Sequence, residues 1–331
     1  MSFDNNHSFR VSIAPMMDWT DRHCRYFHRL LSRDAYLYTE MVVADAIIHG
    51  PRDRLLGYDV CEHSIALQIG GSDPDKLAQA SKIGEDFGYD EININIGCPS
   101  DRVQSGRFGA CLMEEPALVA ACFAAMQAAV SIPVTVKCRL GVDDQDVAQT
   151  LPTFIETLAK AGCQRVIIHA RKAWLKGLSP KENRNVPPLD YDLVRQMKAE
   201  FPELLIEING GLTALAQIDS EAQGLDGLMY GRAAYHDPWI LAGLDSYMGA
   251  GSDRFNNRFA IIPHLIDYAQ RHEQDNPTTK ALCRHIMGLF AAQPGARLWR
   301  RTLSESMAKG LAPSECIIRA QETMLARVQV A

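Results

Sequence analysis

A thiol, an amine, an imidazole and two side-chain amides stand where short apolar runs of this chain end, and together they could act on a polar, planar ligand. Cys98 closes the stretch Ile92-Asn93-Ile94-Asn95-Ile96-Gly97-Cys98-Pro99, in which a period of two gives way at Gly97 to a turn stiffened by proline. A free thiol, with a reference pKa of roughly 8.5, stays mostly protonated near neutrality, the state a proton donor needs. The opposite role, a thiolate nucleophile, calls for a cation close by, and Arg102 is the one nearby in sequence. Gln68, Asn95, Lys137 and His169 end other apolar runs or the same one. Singly, each has an ordinary explanation: a small buried cysteine, half of an ion pair, a bridging amide, a satisfied core histidine. Gathered at one rim they describe a pocket.

Two glycine-bearing turns narrow the ligand. Asn209-Gly210-Gly211 and Gly231-Arg232 offer backbone N–H groups that can approach an anion and a guanidinium to pair with it, which suits a phosphate. Flavin mononucleotide (FMN) fits such a site: Lys137 would stabilise the anionic reduced ring and Gln68 would hold the pyrimidine edge. These residues leave a phosphosugar open as well.

The elements that must position these groups follow from the hydrophobic pattern. Strand-like runs at 11–14, 36–39, 65–69, 92–96, 134–137, 166–169, 205–209 and 227–230 alternate with stretches of helical spacing, such as Cys24, Phe27 and Leu31, or Leu77, Ala80, Ile83 and Phe87. An apolar, alanine-rich stretch at 114–130 predicts a buried helix. Eight strand–helix repeats predict an α/β chain folded as a (β/α)8 TIM barrel, whose chemistry gathers at the C-terminal strand ends. A doubly wound open sheet is the rival, but no Gly-x-Gly-x-x-Gly opens the first helix. Beyond residue 245 the strands cease. Helices predicted at 253–274, 278–292, 295–310 and 313–330 make residues 246–331 a C-terminal all-α four-helix bundle and residues 1–245 the barrel domain. The segment 171–190 is a long basic, aromatic, proline-rich loop, of the kind that is usually functional or disordered.

Composition sets the setting. The 331 residues are 47% apolar, enough for a large core and a smaller second domain. Residues 1–10 lack the apolar centre of a signal peptide and no run reaches the roughly 18 apolar residues of a membrane span, so a cytoplasmic protein without a membrane partner is expected. Nine scattered cysteines, with no Cys-x-x-Cys pair, argue against a disulfide framework and a structural metal. The net charge of −6 is uneven: residues 246–331 hold eleven basic and seven acidic residues, a surplus that suggests an anionic partner.

Several stretches resemble, in order, the motifs of the tRNA-dihydrouridine synthases: Ala14-Pro15-Met16, Ile92 to Pro99, Gly109 to Met113, Val134 to Lys137, Ile168 to Arg171, Asn209 to Gly211 and Gly231-Arg232. Residues 15–27 and 169–191 are similar to the A-type bacterial enzymes, whose targets are uridines 20 and 20a of the tRNA D-loop. The resemblance implies an FMN-bearing barrel followed by a helical domain that binds tRNA. It assigns FMN to Pro15, Met16, Met17, Gln68, Lys137, His169, Asn209, Gly210, Gly211, Gly231 and Arg232, the proton donor to Cys98, and tRNA contacts to Asn95, Lys181, Arg184, Arg297 and Arg300. It also implies NADPH as reductant. A monomer is expected. Three alternatives remain: a flavin-dependent reductase of a free pyrimidine or other small alkene, a non-catalytic RNA-binding protein, and a lyase using Lys137 as a Schiff base.

Overall fold

The computed structural model describes residues 9–274 and 277–328, without the side chains of residues 101, 102, 277 and 328. Every expected strand is present: β1 (Arg10–Ile13), β2 (Leu37–Tyr38), β4 (Ile65–Gly70), β5 (Glu91–Ile96), β6 (Val134–Arg139), β7 (Arg165–His169), β8 (Leu205–Asn209) and β9 (Gly227–Tyr230), with a two-residue strand β3 (Val42–Val43) added beside β4. All neighbours pair in parallel in the order β1-β9-β8-β7-β6-β5-β4-β2. Tyr36, bridged to Ser12, closes the ring: Ile13 donates to its carbonyl and it donates to that of Val11, each at 2.9 Å. The (β/α)8 barrel is therefore the observed fold.

The alternation in β5 sorts its two faces. Ile92, Ile94 and Ile96 are fully buried, while Glu91, Asn93 and Asn95 on the other face hydrogen-bond to polar side chains of neighbouring strands. The barrel interior is thus layered. Near the N-terminal strand ends Arg10 pairs with Glu91 at 2.7 Å, Arg165 pairs with Glu207, and Ser12 and Thr135 donate to the two carboxylates. Ala14, Tyr38, Ala66, Ile167 and Met229 form an apolar layer, and the amides and cations of the site belong to the polar rim. Burial raises the pKa of Glu207, against the pull of Arg165 and Arg10. Breaking such a pair leaves a buried charge unmatched. Arg165→Met should therefore cost about 3–5 kcal/mol, read as a lowered midpoint in chemical denaturation.

By contacts the chain divides into two compact units, residues 1–17 with 36–231 and residues 18–35 with 232–331. Where the sequence pattern suggests a break after residue 245, the helix Arg22–Leu31 and residues 232–245 belong to the helical unit. Their side chains show why. Asp21 caps that helix through the N–H groups of His23 and Cys24 and meets Nε2 of His285 at 2.9 Å, while Ser32 donates to Asp245. The predicted helix at 278–292 is broken into Ala281–His285 flanked by 3-10 turns; the others are observed as Ile262–His272, Ala296–Ala308 and Pro313–Val328. In the barrel unit, the helix Pro116–Ala129 buries Val119, Cys122, Phe123 and Met126, one face only rather than its whole circumference.

Candidate active site

A ladder of side-chain amides leads up to Cys98. The single hydroxyl proton of Thr135 goes to Glu91 Oε1, 2.6 Å away, so its oxygen accepts from Asn93 Nδ2 at 2.8 Å. Asn93 Oδ1 then accepts from Gln68 Nε2 at 2.8 Å, and Gln68 Oε1 from Asn95 Nδ2 at 2.7 Å. Asn95 Oδ1 is left facing two backbone donors, the N–H groups of Gly97 at 3.1 Å and Cys98 at 3.0 Å. The carboxylate at one end and the backbone donors at the other fix the sense of every amide between them. The turn that carries the thiol is thereby anchored to the barrel interior. Gln68 and Asn95 each keep one amide N–H, and Gln68 one acceptor position, for a ligand.

The cation beside Cys98 is one that neighbours in sequence did not reveal. Arg102 has its side chain outside the described residues, whereas Arg139 donates through Nε at 2.9 Å to the carbonyl of Gly97, the residue before Cys98. Strand β6 runs two residues past Lys137, which brings this guanidinium to the rim. Burial lowers its pKa to about 10. Its Nη1 donates to the carbonyls of Lys172 and Asn183, at 3.0 and 2.9 Å, so it also holds the segment 171–190. That segment is ordered: Asn183, fully buried, exchanges hydrogen bonds with the backbone of Trp174, and Leu175 N donates to Asp143 at 2.7 Å.

Lys137 Nζ donates to Asn209 Oδ1 at 3.1 Å, and Asn209 Nδ2 to Met229 O at 2.7 Å. The surrounding protein, with Arg139 adding repulsion, lowers the Lys137 pKa to about 8. His169 is held neutral by burial and by four cations, Arg139, Lys137, Arg171 and Arg184. Gly210 and Gly211 have φ of 109° and 71°, and a Cβ on Gly210 would lie 2.6 Å from the His169 ring. At Gly231 a Cβ would meet nothing nearer than Ala14 at 4.0 Å, leaving an open approach to the backbone. The gathered cations and an uncrowded glycine suit a phosphorylated, anionic cofactor such as FMN. Of the other cofactor candidates, Pro15 and Met16 are half-buried, Met17 is 54% exposed, and Arg232 opens a short helix.

The candidate RNA contacts are placed as follows. Lys181 and Arg184 are exposed, the first preceding the 3-10 turn Glu182–Arg184 and the second ending it, and Asn95 is committed to the ladder but for one N–H. In the helical unit, Arg297 and Arg300 are exposed on Ala296–Ala308, whose Trp299 and Leu303 are fully buried. Arg301 is paired with Glu305, whereas Arg297 and Arg300 make no hydrogen bond or ion pair among the described residues. Among the described residues no metal-binding cluster of His, Cys, Asp and Glu occurs, and no helix is long and apolar enough to cross a membrane.

Residues 12–326 match the family described as dihydrouridine synthase (Dus). The chain belongs to the dihydrouridine synthase family. It is thereby an oxidoreductase of a family that is flavin-dependent in general. Among its relatives are the tRNA-dihydrouridine(20/20a) synthases of Xanthomonas campestris, 56% identical over 90% of this chain and 88% of the relative, and of Vibrio cholerae, 53% identical over 95% and 96%. That of Escherichia coli is 54% identical over 91% of both chains. The match to the dihydrouridine synthases runs through both the barrel and the helical unit.

Proposed function

We propose that this protein reduces the C5=C6 bond of uridines 20 and 20a in the D-loop of tRNA to 5,6-dihydrouridine, with FMN as bound cofactor and NADPH as reductant. The observation behind it is that Cys98, held by the amide ladder, and Lys137, linked to the Asn209-Gly210-Gly211 turn, occupy the C-terminal ends of β5 and β6, paired Asn95 to Lys137. FMN, when bound, supplies the hydride that C6 receives. Cys98 gives its thiol proton to C5 as negative charge grows there and toward O4. Lys137 and neutral His169 would hold the cofactor's anionic part, Gln68 would hydrogen-bond its pyrimidine, and Gly210, Gly211, Gly231 and Arg232 would hold its phosphate. Pro15, Met16 and Met17 would complete the cofactor site. The uracil must leave the stacked tRNA to reach this rim, and Asn95 meets it there. Lys181 and Arg184 on the barrel unit and Arg297 and Arg300 on the helical unit bind the phosphate backbone. The protein works as a cytoplasmic monomer, where its tRNA substrate is found.

Mapping dihydrouridine in tRNA from cells lacking this protein tests the assignment. The modification should vanish at 20 and 20a and return with the wild-type protein; its persistence at both positions refutes the assignment.

The lowered pKa of Lys137 gives a pH signature. An anionic ligand prefers the charged amine, whose pKa in the empty site is about 8, so affinity is full below pH 8 and declines above it. Titration of flavin-free protein with FMN should show dissociation constants rising up to about tenfold per pH unit between pH 8 and 10. The same series with Lys137→Met should be flat.

A further inference from the structure

One connection lies outside every role assigned above. Gln104, on the short helix Asp101–Ser105 that follows the Cys98 turn, donates from Nε2 to the carbonyls of Pro99 and Leu175, each at 2.8 Å. Two acceptors on one nitrogen require both hydrogens of the amide, so the orientation of the group is fixed. Pro99 adjoins the thiol. Leu175 belongs to the segment 171–190, the same segment that carries Lys181 and Arg184. Arg139 makes a parallel bridge from the other side, joining Gly97 O to Lys172 O and Asn183 O. The turn and the segment are thus stitched at two points, before and after Cys98, by side chains that end on main-chain carbonyls. A fixed loop rather than a loose lid borders the thiol.

We infer that Gln104 is a positioning residue that couples the RNA-contacting segment 171–190 to the Cys98 turn, so that seating the tRNA and aiming the thiol are one event. This rests on the proposed role of Cys98 as proton donor to a tRNA uridine. Proton transfer in the transition state depends steeply on donor distance and direction, so a turn freed at Pro99 loses rate although the thiol itself is intact. The hydrogen bonds of Gln104 go to neither the cofactor candidates nor the RNA contacts, so its loss should leave flavin and tRNA binding in place.

The test uses FMN-loaded wild type, Gln104→Met, which keeps the length and removes both donors, and Gln104→Ala, which removes the bulk as well. Flavin content reports folding. In each variant, reduction of the flavin by NADPH should be unchanged and the dissociation constant for unmodified tRNA should stay within about twofold. Reoxidation of the reduced flavin at saturating tRNA should slow about tenfold, and its solvent deuterium isotope effect should rise as proton transfer becomes more limiting. A saturating rate within twofold of wild type in a flavin-loaded variant overturns the inference, as does a loss confined to tRNA affinity. Wild type that fails to turn over tRNA at all would overturn the proposed function instead, so the two failures are distinguishable.

Discussion

Cys98→Ala should lower the rate of dihydrouridine formation by about 10²–10⁴-fold while the flavin is still reduced by NADPH at nearly the normal rate. The split follows from the proposed role of the thiol as proton donor. Hydride transfer from NADPH to the cofactor involves no proton from Cys98, whereas saturation of the uracil double bond leaves charge at C5 and O4 that must be quenched. The anchoring of the turn survives the substitution, because Asn95 Oδ1 binds the backbone N–H of residue 98 and not its side chain. Arg139 likewise binds the carbonyl of Gly97. The defect is therefore chemical rather than architectural, and stopped-flow absorbance of the two half-reactions measures it. Cys98→Ser, with a weaker acid at the same place, should fall between the two.

Replacing both Arg297 and Arg300 by alanine should weaken tRNA binding about 10- to 100-fold at physiological salt without altering flavin content. Each arginine that neutralises a phosphate releases counterions, so the slope of log affinity against log salt should flatten by roughly 0.7–0.9 per residue. The helix itself should be unharmed. Its fully buried anchors are Trp299, which donates to Ile286 O at 2.9 Å, and Leu303. Arg301→Ala is the internal control. Its pairing with Glu305 already offsets its charge, so it should change affinity less than either neighbour. Filter binding across a salt series checks all three; equal salt slopes for wild type and the double variant would remove this surface from RNA binding.

The barrel was legible because its signal is local. Eight short apolar runs at helix-compatible spacing name eight of the strands, and only the two-residue β3, Val42–Val43, falls outside them. The helical unit was legible in kind but not in extent. Helix Arg22–Leu31 belongs to it through the Asp21–His285 and Ser32–Asp245 contacts, which join residues more than two hundred positions apart and leave no trace in a local pattern. The break in the helix predicted over 278–292 is equally tertiary.

The same contrast holds at the site. Cys98, Lys137 and His169 stood out as unusual residues at strand ends. Arg139 did not, since the apolar pattern ends the strand at Lys137 and the cation nearest the thiol along the chain is Arg102. Strand pairing places Asn95 beside Lys137 and Arg139 beside His169, which only the register across β5, β6 and β7 reveals. The amide ladder from Glu91 to Asn95 has a sequence signal, polar residues alternating with isoleucine in a strand whose apolar face meets the helices. Of its partners on β4 and β6, Gln68 stands out as a polar residue ending an apolar run, whereas Thr135 does not.

A single-turnover experiment bears most directly on the coupling of flavin, thiol and tRNA. Protein reduced with NADPH is mixed without oxygen with unmodified tRNA, flavin absorbance is followed, and the product RNA is mapped base by base. Flavin should reoxidise only when tRNA is present, with one dihydrouridine formed per flavin, confined to positions 20 and 20a. Reoxidation by free uridine as fast as by tRNA, or RNA recovered without dihydrouridine, would contradict it.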